Sequence, residues 1–406
     1  MAAAGDIVKC EITDISFGGD GVARLPDGAV LFVPLAAIGD KLEVTITQVG
    51  KSFHRGEIRK ILAPSPDRAA PFCDRYGDCG GCCYQHISYQ AELQAKQRQF
   101  LSVIRRIGHF EEFPELECTV PAPARQGYRN KLRLEPYFKT GTRELHYGFY
   151  ERDNKTCFPV KKCPLAQDAV NAAIEKAKRD PQAARNARSR HPAPLTIRTD
   201  SQGKSAFYFD YASPNLSWLR EQLCEQLVAV PVGSFWQVNP PVAAKLLSTI
   251  RGWLQPLGLR SFIDAYGGIG TFSLAMGELF QYRAVIESDK QAIACAKYNH
   301  AQRGLKVQLF SRKTENALSD VLAHINKSES CVLLDPPRTG CLPKAIQTLL
   351  DFPVNTLVYV SCNAGTLARD LNLLSAKYRP KRAAIFDMFP STAHFESAVL
   401  LASTEK

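Results

Sequence analysis

From residue 240 onward, short apolar strands alternate with helical stretches, and this alternation limits the fold more than any other feature of the chain. The strand-like runs are Ser261-Phe-Ile-Asp264, Ala284-Val-Ile-Glu287, Lys306-Val-Gln-Leu309, Cys331-Val-Leu-Leu-Asp335, Leu357-Val-Tyr-Val360 and Ser397-Ala-Val-Leu-Leu401. Alternation of this type implies a mostly parallel sheet wrapped by helices. The expectation is a doubly wound, Rossmann-like domain over 231–406. In such sheets ligands bind beyond the carboxyl ends of the strands.

Two strand ends carry the chemistry for such a ligand. Phe262-Ile-Asp264-Ala-Tyr266-Gly267-Gly268-Ile-Gly270 ends a strand in an acid and a glycine turn, and a helix is expected from Thr271. Glycines let the backbone approach a ligand closely. The next strand ends in Glu287, placed to accept hydrogen bonds from both hydroxyls of a ribose. A dinucleotide fingerprint wants a third glycine where Ser273 stands, and there is no lysine-containing phosphate loop. The form that remains suits S-adenosylmethionine, which has no phosphate. Leu333-Leu-Asp335-Pro336-Pro337-Arg338 then sets another carboxylate at a strand end, with two prolines to stiffen the backbone after it.

Leu357-Val-Tyr-Val-Ser-Cys362-Asn363 places a thiol at a strand tip, and Phe389-Pro-Ser-Thr-Ala-His394-Phe-Glu396 supplies a carboxylate later in the chain. Carbon methylation of a uracil ring requires such a pair. A thiolate adding to carbon 6 makes carbon 5 electron-rich, and a base then removes the carbon 5 proton so that the thiol can leave. The competing reading is that Cys362 is a small buried hydrophobe and that Glu396 only orients His394.

Earlier segments differ in character. Residues 7–62 read as short strands, Ile7–Ile12, Ala29–Val33 and Lys41–Thr47, with Gly18-Gly-Asp-Gly21 and Pro26-Asp-Gly28 as turns. They predict a small oligonucleotide-binding (OB-like) β-barrel, its edge made basic by Lys51, His54, Arg55, Arg59 and Lys60. Pro64-Ser-Pro66 marks a linker, and Cys73-x5-Cys79-x2-Cys82 packs three thiols into ten residues, with Cys163 able to complete a four-ligand set. Short spacing of this kind lets one loop wrap a metal or a cluster, and it does not distinguish zinc from iron–sulfur. Cys83 and Cys157 are rival ligands. A helix is expected over about 89–108, free to pack on the catalytic domain. Strands follow within 127–160, then an alanine-rich helix and an exposed basic connector from Lys176 to Pro194.

The formal charge of +11 favours a polyanionic partner. No run approaches the ~18 apolar residues that span a bilayer. The start, Met1-Ala-Ala-Ala-Gly-Asp6, lacks an export pattern. Cytoplasmic residence is therefore expected, where thirteen cysteines point to metal binding or chemistry and not to disulfides.

Together these residues resemble the uracil-C5 methyltransferases of RNA, a family acting on 23S ribosomal RNA and on transfer RNA. The likeness covers nearly the whole chain. It rests on Gly18-Gly-Asp-Gly-Val-Ala-Arg24, Leu31-Phe-Val-Pro34, the cysteines, Tyr128-Arg-Asn-Lys131, Ser234-Phe-Trp-Gln237-Val-Asn239, Asp335-Pro-Pro-Arg338, Ser361-Cys362-Asn363 and Thr392-x-His394-x-Glu396. The resemblance implies three parts: a TRAM barrel over 1–64, a central α+β iron–sulfur domain over 65–230, and the catalytic domain over 231–406. It implies S-adenosylmethionine contacts at Gln237, Tyr266, Glu287, Asp335 and Asn316, a [4Fe–4S] cluster on Cys73, Cys79, Cys82 and Cys163, Cys362 as nucleophile and Glu396 as base. Ribosomal RNA (23S) is the expected partner of a monomeric enzyme, with transfer RNA the alternative and a non-catalytic, redox-sensing RNA binder the rival. One departure is Gly267, where the family usually has cysteine.

Overall fold

The computed structural model describes residues 3–139, 141, 144–209 and 218–405; the first two residues of the run read for an export signal lie outside these. The chain divides into two compact units. The first comprises residues 1–102, 137–164 and 389–394. The second comprises 103–136, 165–388 and 395–406.

In the first unit a six-stranded sheet contains Ile7–Glu11, Asp14–Ile15, Gly21–Arg24, Val30–Val33, Lys41–Val49 and Phe53–Ala63. All its pairings are antiparallel except Val30–Val33 with Phe53–Ala63, which is parallel. Alternate residues turn inward. Leu42, Val44 and Ile46 meet Ala23, Leu31 and Val33 in one buried cluster. The long Phe53–Ala63 strand was not among the expected ones, because its outward positions carry Arg55, Glu57, Arg59 and Lys60 and hide the alternation.

The Tyr89–Arg106 helix ends two residues before Gly108. Its Glu92 and Lys96 are both buried, paired at 2.7 Å. Glu92 also accepts from the backbone of Ser391 at 2.6 Å, and Lys96 donates to the Phe389 carbonyl at 3.3 Å. The 389–394 loop is thereby tied to this helix within the first unit.

The second unit is built on an eight-stranded sheet. From edge to edge its strands are Gln308–Ser311, Tyr282–Glu287, Ser261–Ala265, Ser330–Leu334, Thr356–Ser361, Glu396–Ser403, Tyr378–Phe386 and Leu116–Val120. The first five are parallel, and Glu396–Ser403 runs antiparallel to both its neighbours. The strand order reverses between Ser261–Ala265 and Ser330–Leu334, which opens the crevice where open α/β sheets bind ligands. Every residue of the strands Ser261–Ala265, Ser330–Leu334 and Thr356–Ser361 is buried, as expected for strands covered on both faces.

Two expectations are corrected here. The stretch from Lys176 to Pro194 is not simply an exposed connector. It contains a helix, Pro181–Ala187, capped by Asp180 and burying Ala183 and Asn186. The strands Tyr378–Phe386 and Leu116–Val120 were not anticipated: Pro380, Lys381 and Arg382 interrupt the apolar pattern of the first, where the register shifts, and Glu117 and Cys118 that of the second.

Candidate active site

The glycine turn is held by its own strand end. Asp264, fully buried, accepts from the Ser273 backbone at 2.9 Å and so pins the first turn of the Thr271–Ala275 helix. Tyr266, Gly268 and Gly270 adopt left-handed backbone angles, with φ of 62°, 56° and 78°. For Tyr266 this costs about 1 kcal/mol or more, a strain that concentrates at functional turns. At Gly267 a Cβ would sit 2.8 Å from Val285 and 2.9 Å from Asp264, so this chain has no room for a side chain there. Glu287 braces the turn from the next strand, accepting from Gly268 at 3.0 Å and from the Asp289 backbone at 2.7 Å.

A pocket above this turn is lined by Gln237, Tyr266, Gly268, Asp335, Phe235 and Trp236, among others. Burial pushes Asp335 up to about 7 and Asp264 up to about 8. The carboxylates at the crevice are therefore poised near neutrality, and a cationic ligand would favour their charged forms. Of the five residues assigned to the cofactor, Gln237, Tyr266 and Asp335 line this pocket. Glu287 stands beside it through Gly268. Asn316 is exposed on the Thr314–Ala323 helix, where its side chain accepts from Lys344 at 2.9 Å.

Ser361 pairs with Ser397 in antiparallel register, so the next residues along, Cys362 and Glu396, stand opposite one another at the end of the two strands. Cys362 is partly exposed and Glu396 is buried. Burial raises the Cys362 thiol to about 11, the Glu396 charge adds to this, and Arg338 opposes it with charge and a hydrogen bond. Glu396 is likewise raised well above the carboxylate range, first by burial and then by Asp335, with Arg338 again opposing. Arg338 was not singled out as a site residue from the sequence, although Asp335-Pro-Pro-Arg338 contains it. Its backbone is anchored by Asn363, whose side-chain amide donates to the Arg338 carbonyl at 3.0 Å.

In the first unit the four cysteines read as ligands are partly exposed, and none of them is in a disulfide. Cys79 receives a hydrogen bond from the Gly81 backbone at 3.4 Å, and the charges of Cys163 and Cys73 reach it. Cys83 instead packs beside Ile15, Tyr84 and Ile87, and a Cβ at Gly19 would come within 2.8 Å of its sulfur. Among the described residues, no group of three or more His, Cys, Asp or Glu is drawn together as around a single metal ion. No described helix is long and apolar enough to cross a membrane.

Strand order, glycine turn and strand-end acids define a Rossmann-like, S-adenosylmethionine-dependent methyltransferase. The tRNA (Uracil-5-)-methyltransferase family model matches residues 204–404, and the TRAM domain model matches residues 2–58. The chain is 30% identical to the 23S rRNA (uracil(1939)-C(5))-methyltransferase RlmD of Chromohalobacter salexigens, over 96% of this chain and 88% of that one. It is 28% identical to an uncharacterized RNA methyltransferase of Synechocystis, over 98% and 96% of the two chains. The tRNA (uracil-54, C5)-methyltransferase of Pyrococcus abyssi, solved with S-adenosyl-L-homocysteine, shares the fold. It superposes with a TM-score of 0.70 at 22% identity, covering 97% of this chain and 100% of that one. The chain belongs to the RNA uracil-C5 methyltransferase family and is an RNA (uracil-5-)-methyltransferase that uses S-adenosylmethionine.

Proposed function

We propose that this enzyme methylates a uridine of 23S ribosomal RNA, with Cys362 as nucleophile and Glu396 as base. The observation that carries the mechanism is the opposition of Cys362 and Glu396 across paired strands, with Arg338 against the sulfur. Cys362, which is partly exposed, loses its proton to solvent, and its sulfur bonds to carbon 6 of the uracil. The ring becomes an enolate, whose carbon 5 takes the methyl group from the sulfonium, leaving S-adenosylhomocysteine. Glu396 then removes the proton from carbon 5, the electrons re-form the 5,6 double bond, and the carbon–sulfur bond breaks. Arg338 stabilises the thiolate before addition and again as it leaves. Gln237, Tyr266, Glu287 and Asp335 hold the methyl donor, Asp335 facing its cationic end; Asn316 is the outlying member of that set.

The ribosomal substrate follows the names of the relatives from Chromohalobacter salexigens and Legionella pneumophila. A transfer RNA substrate is the second reading, favoured by the name of the matching family. We divide the chain by role into residues 1–64, which grip RNA, 65–230, which carry the cysteines, and 231–406, which do the chemistry. Extruding one uracil from its stack costs a few kcal/mol, which basic and aromatic contacts to the RNA offset.

Cys73, Cys79, Cys82 and Cys163 would hold a [4Fe–4S] cluster. A cubane binds its thiolates at separate corners, and what supports the set is that the charges of Cys163 and Cys73 both reach Cys79. There it would tie loops together, and no step of methyl transfer runs through it. Protein purified without oxygen should carry about four irons per chain, and iron-free protein with unchanged stability would refute the assignment.

The substrate is tested by mapping 5-methyluridine in RNA from a deletion strain. The mark should vanish from 23S ribosomal RNA and return with the gene, whereas loss confined to transfer RNA would move the substrate there. Cys362→Ala should abolish methylation and leave RNA binding measurable. Glu396→Gln should trap protein covalently on RNA, and release at the normal rate would refute its role as base.

A further inference from the structure

The motif Tyr128-Arg-Asn130-Lys131 has no part in the chemistry above, yet Asn130 is buried and reaches the segment that delivers Gln237 to the pocket. Its side-chain amide donates to the Gln237 carbonyl at 3.1 Å, and its backbone N–H donates to the Val238 carbonyl at 3.1 Å. Its own carbonyl accepts from Thr199 at 2.9 Å, one residue beyond Arg198 on the Leu195–Thr199 strand. Arg198, also buried, donates to the Ser234 carbonyl at 3.2 Å and the Pro231 carbonyl at 3.5 Å. Its other terminal nitrogen is paired with buried Glu221 at 2.9 Å, and Glu221 takes a further bond from Ser201 at 3.0 Å.

We infer that Asn130 and Arg198 are positioning residues which together fix the Pro231–Val238 segment, and so the place of Gln237 in the S-adenosylmethionine pocket. The segment has almost no regular structure of its own between the Gln226–Pro231 strand and the Pro240–Leu254 helix. Its shape is set by three of its carbonyls and one more at its start, all held by donors from these two side chains and the Asn130 backbone. A charged donor on two carbonyls, itself held by a paired carboxylate, resists displacement more than neutral bonds would. Only one orientation of the Asn130 amide works, because the reverse would set two oxygens against each other. Both residues act through backbone, so neither needs to touch the cofactor. The inference rests on Gln237 contacting the cofactor.

The test is calorimetric titration with S-adenosylhomocysteine on full-length Asn130→Asp, Arg198→Lys and Gln237→Ala, alongside steady-state kinetics, RNA binding and thermal melting. Asn130→Asp keeps the shape but replaces a donor with an acceptor. It should weaken S-adenosylhomocysteine about tenfold or more and raise the KM for S-adenosylmethionine in step, with kcat and RNA affinity within about threefold of wild type. Arg198→Lys keeps the charge facing Glu221 but loses the fork, and a smaller shift in the same direction is expected. A purely structural role would instead lower kcat, RNA affinity and melting temperature together. Should Asn130→Asp fail to fold, Arg198→Lys decides. Wild-type affinity in Gln237→Ala overturns the contact assigned to Gln237, whereas wild-type affinity in the folded variants at 130 and 198 overturns the positioning role itself.

Discussion

Cys362 and Glu396 face each other one step beyond the Ser361–Ser397 pair, so a sulfur and a carboxyl share the same strand ends. Glu396 raises the cost of charging Cys362, Asp335 raises it for Glu396, and Arg338 lowers it for both. The resting site therefore disfavours a thiolate while Glu396 is ionised. Removing the carboxylate should make the thiol easier to ionise. In Glu396→Gln, alkylation of Cys362 by iodoacetamide at pH 8 should be several-fold faster than in wild type, about tenfold at most. An unchanged rate–pH profile would show that the two groups do not interact.

Arg338 is expected to act in the opposite sense. Its guanidinium is the group that lowers the Cys362 thiol from its burial-raised value, by charge first and then by hydrogen bonding. Arg338→Ala should slow alkylation at a given pH and reduce kcat by about 10²-fold, with RNA affinity little changed. Arg338→Lys should recover part of the loss, since it restores the charge without the planar fork. Equal alkylation profiles for wild type and Arg338→Ala would remove the residue from the site.

Asp335, proposed to face the cationic end of the methyl donor, should link cofactor binding to pH. Burial holds its carboxyl at about 7. S-adenosylmethionine carries a positive sulfonium and S-adenosylhomocysteine a neutral thioether, so on that proposal only the former would gain from ionised Asp335. Affinity for S-adenosylmethionine should rise severalfold as pH increases through about 7 and should change less for S-adenosylhomocysteine. Calorimetry across pH 6 to about 8.5 would measure both. Asp335→Asn should flatten the first curve, and parallel curves for the two ligands would refute the electrostatic role.

The features legible in the chain without coordinates follow a physical divide. The Thr271 helix start, the Asp264 strand end and the Tyr89–Arg106 helix are marked by local signals: glycines, an acid and a 3.6-residue apolar period. The Tyr378–Phe386 strand escaped because a proline and three basic residues occupy its first half, while only Ala383–Phe386 is buried continuously. The helix after Asp180 could have been found, since Asp before Pro at a helix start is a known cap, and Asp180 does accept from Gln182 at 2.8 Å. Arg338 needed tertiary information. Only the folded sheet brings the end of one strand against the tip of the next, and no spacing in the chain encodes that approach.

The buried Glu92–Lys96 pair gives a prediction about stability. Breaking it singly leaves one charge buried without its partner, which costs about 3–5 kcal/mol. Glu92→Gln or Lys96→Met should therefore lower the melting temperature markedly, and Glu92→Gln weakens the bond to Ser391 as well. The double variant should be less destabilised than the sum of the singles, because it leaves no orphan charge. Additive losses in a double-mutant cycle would mean that the two side chains act independently.

Asp264 should shape the pH dependence of folding. Its folded-state pKa, about 8, lies above the unfolded carboxylate range because burial penalises the charged form. Between the two values the folded protein binds more protons than the unfolded chain, so stability falls as pH rises through this window. The slope is at most about 1.4 kcal/mol per pH unit for one group. The contribution is fully present below the unfolded pKa and is lost by the time pH passes about 8. In Asp264→Asn the side chain stays neutral at every pH and its oxygen can still accept from Ser273. Urea midpoints measured from pH 5 to about 8.5 should decline in wild type and decline less in Asp264→Asn. If the two curves run parallel, Asp264 is already ionised in the folded enzyme, and the turn beneath the cofactor pocket carries a buried negative charge.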